Sequence, residues 1–61
     1  MTFLVQRSFD GFAWATRTGA DTHAEACALA DQLANRAERG VAFRVVDSTT
    51  GAVVFAVENP S

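Results

Sequence analysis

The chain opens on an alternating stretch, Phe3-Leu4-Val5-Gln6-Arg7-Ser8-Phe9, and a second follows at Phe12-Ala13-Trp14-Ala15-Thr16-Arg17. Between them stands Asp10-Gly11, which predicts a hairpin with a tight type I′ turn because both central residues of that turn need positive φ. Pairing Phe9 with Phe12 then sets Arg7 opposite Trp14 and Val5 opposite Thr16. Directly opposed residues share a face, so Phe3, Val5, Phe9, Phe12 and Trp14 are expected on the core side. Leu4, Gln6, Ser8, Ala13, Ala15 and Arg17 are expected on the other.

At Thr22 the period changes from strand-like to helical. Thr22-His23-Ala24-Glu25 has the form of a capping box, and from there Ala26, Leu29, Ala30, Leu33 and Ala37 make a narrow apolar stripe. Glu25, Ala28, Gln32, Asn35, Arg36 and Arg39 lie away from it, and Gly40 is expected to supply a left-handed C-cap. Because the stripe is mostly alanine, the helix axis can approach a sheet closely while phenylalanine and tryptophan fill the space between them.

Two further β-rich runs, Val41 to Asp47 and Ala52 to Val57, flank Ser48-Thr49-Thr50-Gly51. A loop of Thr49-Thr50-Gly51 with the glycine left-handed pairs Val45 with Phe55 and Phe43 with Val57. It gathers Val41, Phe43, Val45, Val53, Phe55 and Val57 on one side. The whole chain, 1–61, reads as a single α+β domain of order β-β-α-β-β: a four-stranded antiparallel sheet with one helix packed on one face. A right-handed crossover would bring the third strand in parallel to the second. Pairing the third strand with the first instead makes every neighbour antiparallel, in the order 2-1-3-4, and is the preferred topology.

With one face under the helix, the opposite face is expected to carry Leu4, Ala13, Ala15, Ala42, Val46, Val54 and Ala56 together with Gln6, Ser8, Arg17 and Arg44. Such a half-apolar surface suggests association. The candidate binding residues are therefore Leu4, Gln6, Ala13, Ala15, Arg17, Arg44, Val46 and Val54. Neither outer strand contains a proline or lysine to blunt its edge, which offers a second way to pair.

Composition narrows the partners. Five arginines against seven acids give a net charge of −2, the wrong sign for a protein built around a phosphate backbone, so nucleic acid is disfavoured. Arg17 with Arg44 on the open face would be the one arrangement able to touch it. The apolar runs fall short of the roughly 20 residues that span a bilayer, and no leader pattern precedes them. A soluble, cytoplasmic protein is expected, in the host cytoplasm if a phage encodes it. Lysine, isoleucine and tyrosine are absent while alanine, valine and arginine abound, a bias that fits a GC-rich bacterium or its phage. The sole proline, Pro60, sits beside the C-terminus.

Little in the chain promises chemistry. His23 and Cys27 stand at i and i+4, a spacing that can share a proton or a metal ion, but two ligands are half a site and no metal, cofactor or catalytic residue is expected. Asp10 and Asp47 serve turns, Asp21 and Glu25 suit the helix start, and Asp31 and Glu38 lie on a solvated flank. No acid/base pair emerges, and an enzyme is not expected. Arg7 opposite Trp14 would form a cation–π contact.

The helix opening Thr22 to Ala30, followed by Phe43-Arg44-Val45-Val46-Asp47, Thr50-Gly51 and Val53-Val54, resembles many small orphan proteins of phages and GC-rich bacteria, among them compact anti-CRISPR inhibitors. The resemblance is architectural and transfers no functional residue. It implies a stoichiometric binder that blocks a larger complex. The expected function is thus a non-enzymatic protein-interaction module whose partner is a host protein or protein complex. The alternatives are a self-associating homodimeric subunit and a sheet-type nucleic-acid binder.

Overall fold

A computed structural model describes residues 2–37 and 40–58. The chain runs β1 (Phe3–Ser8), β2 (Ala15–Ala20), α1 (His23–Arg36), β3 (Ala42–Asp47) and β4 (Val53–Glu58). The strands form one antiparallel sheet in the order β2-β1-β3-β4, and α1 packs on one face of it, the architecture and strand order expected. The expectations for Glu38, Arg39 and Pro60 lie outside the described residues.

The helix begins where its capping residue stands. Thr22 is extended, and its hydroxyl accepts from the Glu25 N–H at 3.2 Å, satisfying one of the amides that a first helical turn leaves unpaired. The buried line is Ala26, Ala30 and Ala34, flanked by half-buried Leu29 and Leu33. The stripe read from the sequence omitted Ala34, because its larger leucines drew the expected axis to one side. At the other end the expectation for Gly40 fails. The cap is Ala37, with φ −81° and ψ 163°, and although Gly40 is left-handed at φ +82°, it comes later, just before β3.

Beneath the helix lie Phe3 and Val5 of β1, Ala20 of β2, Val41, and Phe43, Val45, Phe55 and Val57 of the second hairpin. Burying a valine or phenylalanine side chain contributes about 1.5–3 kcal/mol, so this layer is the main source of stability in so short a chain.

The second hairpin keeps the two central pairs expected, Val45 with Phe55 and Phe43 with Val57. Its loop closes one residue earlier than expected, since the Asp47 carbonyl accepts from Gly51 N–H at 2.7 Å and the Asp47 N–H donates to Ala52 O at 2.9 Å. Gly51 is left-handed at φ +76° as expected. A bulge then restores the register: Val46 pairs with Val53, Val45 with Phe55, and Val54 is the extra residue. Val53 therefore sits on the open face beside Val46, not in the core.

The first hairpin departs further. Arg7 pairs with Ala15 and Gln6 with Thr16, so residues 9–14 form a loop and the two-residue turn is absent. Only Gly11 among the loop residues has positive φ, at +83°, which rules out a type I′ turn. The cause is local. Ser8 Oγ accepts from Gly11 N–H at 2.7 Å and Asp10 N–H at 3.3 Å, and the Asp10 carboxylate accepts from Phe12 N–H at 2.8 Å and Ala13 N–H at 3.0 Å. These side-chain acceptors take the amides that a tight hairpin would have committed to cross-strand pairing. A bulge in β2 between Thr16 and Thr18 leaves Arg17 as its extra residue.

Candidate functional site

The changed register redistributes the candidate site. Leu4, Gln6, Arg44 and Val46 share the open face as expected, since Leu4 pairs with Val46 and Gln6 with Arg44. Three expectations need correction. Ala15 faces the helix side because it pairs with Arg7, and Ala13 belongs to the loop, while Val54, the extra residue of the β4 bulge, stays exposed beside Val53. Arg17 lines the seam beside Leu33 and Arg36 of α1. With Arg17 there and Arg44 on the open face, the expected two-arginine surface does not form. Ser8, expected on an open face, is buried beneath the loop it holds, at 1 % exposure.

The open face divides in two. At the end of the strands near the 9–14 loop it is polar and aromatic: Gln6 Nε2 donates to Thr16 Oγ1 at 3.4 Å, Arg44 Nε donates to Gln6 Oε1 at 2.8 Å, and the Trp14 ring covers the Arg44 guanidinium at 4.3 Å. Trp14 thus pairs with Arg44 and not with Arg7, whose guanidinium lies 4.7 Å from the ring of Phe9 instead. At the other end of the strands the face is apolar, with Leu4, the buried Val46 and the exposed Val53 and Val54.

Phe9 and Phe12, expected in the core, stand 69 % and 90 % exposed. They sit on a loop whose backbone is held by Ser8 and Asp10, so the rings are presented from a braced support. The Ala13 and Phe12 N–H groups, together with the Ser8 hydroxyl, which donates to Asp10 Oδ1 at 3.1 Å, hold the Asp10 carboxyl below its ordinary pKa. The loop is therefore fully braced above the ordinary aspartate range. A sequence signal for it existed: serine at Ser8 and aspartate at Asp10 are residues whose side chains compete with backbone pairing, and they flank the very turn that was read as tight.

With Phe12 on the exposed loop and Trp14 over Arg44, a groove bordered by Phe9 lies open on the helix side. It measures about 380 Å³ at the α1–β2 side, with Leu33, Val41 and Phe43 as apolar lining and Arg7, Arg17 and Arg36 among its borders. A second depression of about 280 Å³ adjoins it, sharing Arg17, Leu33 and Arg36. Apart from the bulge residue Arg17, the side chains β2 presents on this side are small, Ala15, Thr18 and Ala20, and α1 packs chiefly on β3 and β1.

His23 and Cys27 do approach, with Sγ 3.7 Å from both ring nitrogens, and Phe3 meets the His23 ring edge-on at 5.8 Å between centroids. Among the described residues no third histidine, cysteine or acid joins them, and no helix is long and apolar enough to cross a membrane. No known family model, curated protein or solved structure matches the chain.

Proposed function

We propose that this protein is a non-enzymatic interaction module that docks on another protein through its aromatic loop, with phage-encoded inhibition of a host complex as the sharpest form of that role. One observation carries the reading: Phe9 and Phe12 stand in water at 69 % and 90 % exposure on a loop fixed by internal hydrogen bonds. Exposed aromatics on a rigid support are the residues that supply most interface energy at low ordering cost. The variant carrying Phe9→Ser and Phe12→Ser tests it. A photo-crosslinking side chain at position 13, in cells of the source or its host, should capture one partner stoichiometrically from the native chain and lose it in the variant, whose thermal midpoint should hardly move. Equal capture by both chains would contradict the proposal.

Self-association is favoured by a separate observation. Val53 and Val54 are 51 % and 38 % exposed on β4, an edge strand, beside Leu4 and Val46. A dimer through that half of the sheet would cover them. Light scattering that returns the mass of one chain at high concentration would remove this reading.

A further inference from the structure

We propose that the seam between α1 and β2 binds an extended acidic segment of the partner protein, with its carboxylates on Arg7, Arg17 and Arg36 and an apolar side chain against Leu33, Val41 and Phe43. The inference rests on the docking role proposed above and names the chemistry of the segment that lies next to the aromatic loop. Three of the chain's five arginines border this one groove, in a protein whose net charge is −2. None of the described acids lines either depression, and among the described residues no carboxylate pairs with Arg7, Arg17 or Arg36. Arg7 Nε is shielded from solvent and has no hydrogen-bond partner, a costly state for a charged donor that an incoming acceptor would relieve. The C-terminal end of α1 contributes a negative field, but it amounts to roughly half a charge against three full positive ones.

Shape selects the class of occupant. The two depressions run on through Arg17, Leu33 and Arg36, so the site is a strip and not a closed pocket. It lies along β2, an edge strand with backbone groups open on one side. An extended peptide can add main-chain hydrogen bonds to such an edge while placing alternate side chains into the groove. Bidentate arginine contacts suit carboxylates, and the aliphatic lining asks for an apolar residue between them. Phe9 borders the groove and belongs to the exposed loop, so one partner could engage both.

The test uses the full chain, labelled with ¹⁵N, and a capped peptide Glu-Leu-Asp-Phe-Glu. Saturable amide shifts are expected at Arg17, Leu33, Arg36 and Val41, weakening with added salt. The variant with Arg17→Glu and Arg36→Glu, both exposed, should keep the native fold by its spectrum and bind about tenfold more weakly or worse. The counterpart peptide with lysine for each acid should leave these amides unmoved. The proposal is overturned by any of three results: no saturable shift, equal shifts from the lysine peptide, or equal affinity for inorganic phosphate or a single-stranded oligonucleotide. Partner capture at position 13 that survives Arg17→Glu with Arg36→Glu but not Phe9→Ser with Phe12→Ser would sink the groove while sparing the docking role. Loss of capture in neither variant would sink the docking role itself.

Discussion

The two hairpins carry similar turn signals and fold differently. Each has a glycine in the left-handed conformation, Gly11 at +83° and Gly51 at +76°, and each joins runs rich in β-formers. In the β3–β4 hairpin the apolar alternation prevails: the loop closes a residue early, yet a bulge at Val54 brings Phe55 back under the helix opposite Val45. In the β1–β2 hairpin the alternation loses, because Ser8 and Asp10 bind the amides of residues 10 to 13 and Phe9 and Phe12 go to the surface with the loop. The lesson is one of competition. A turn dipeptide sets the register only where neighbouring side chains do not offer the backbone better partners. The second hairpin consequently gives both its phenylalanines to the core, whereas the first keeps Phe3, Val5 and Ala20 there and presents Phe9 and Phe12 at the surface.

The contrast predicts its own tests, the largest on the aromatic residues themselves. Phe43→Ala should cost about 3–5 kcal/mol, comparable with the entire stability of a domain this size, whereas Phe12→Ala should stay within about 0.5 kcal/mol. Urea melts of the two variants compare them directly. If Phe12 were packed under the helix as Phe43 is, the two losses would be similar.

Ser8→Ala comes next. It leaves the Gly11 and Asp10 amides without their acceptor under a buried residue and should cost about 1–3 kcal/mol, with faster hydrogen exchange confined to the first hairpin. Gly11→Ala and Gly51→Ala should each cost about 1–2 kcal/mol. A Cβ meets nothing within 4 Å at either position, so the penalty is backbone strain alone and should be alike in the two hairpins.

The smallest effect concerns pH. The Asp10 carboxyl is held below its ordinary range by the Ala13 and Phe12 amides and by Ser8, so its contribution is complete above that range and is lost as pH falls through the lowered folded value. Exchange at the Phe12 and Ala13 amides, corrected for the intrinsic pH dependence, should lose protection over that acid interval. Asp10→Ala should show no such step.

Much of the architecture was legible. Thr22 announced the helix start, the alanine spacing its close approach, and the faces of Phe43, Val45, Phe55 and Val57 the register of the second hairpin. The strand order followed from keeping every neighbour antiparallel. Half of the candidate surface was legible too, since Leu4, Gln6, Arg44 and Val46 depend only on the alternation within β1 and β3. The remainder depended on the first turn. Placing Phe9 opposite Phe12 moved Ala15, Arg17 and Trp14 to the wrong faces together, because a change of register by one residue inverts every side chain beyond it. The groove was hidden for the same reason: it exists only if Phe12 and Trp14 are elsewhere.

Cross-strand Hα–Hα and ring contacts in a nuclear Overhauser spectrum of the native chain bear most directly on this account. It predicts Ala15 opposite Arg7, Thr16 near Gln6, and the Trp14 indole over the Arg44 side chain, with no contact from the Phe12 ring to Leu33. Trp14 found opposite Arg7, together with Phe12 ring contacts to Leu33, would mean that the tight turn forms, the core is filled from both hairpins, and neither the aromatic loop nor the groove is there to bind.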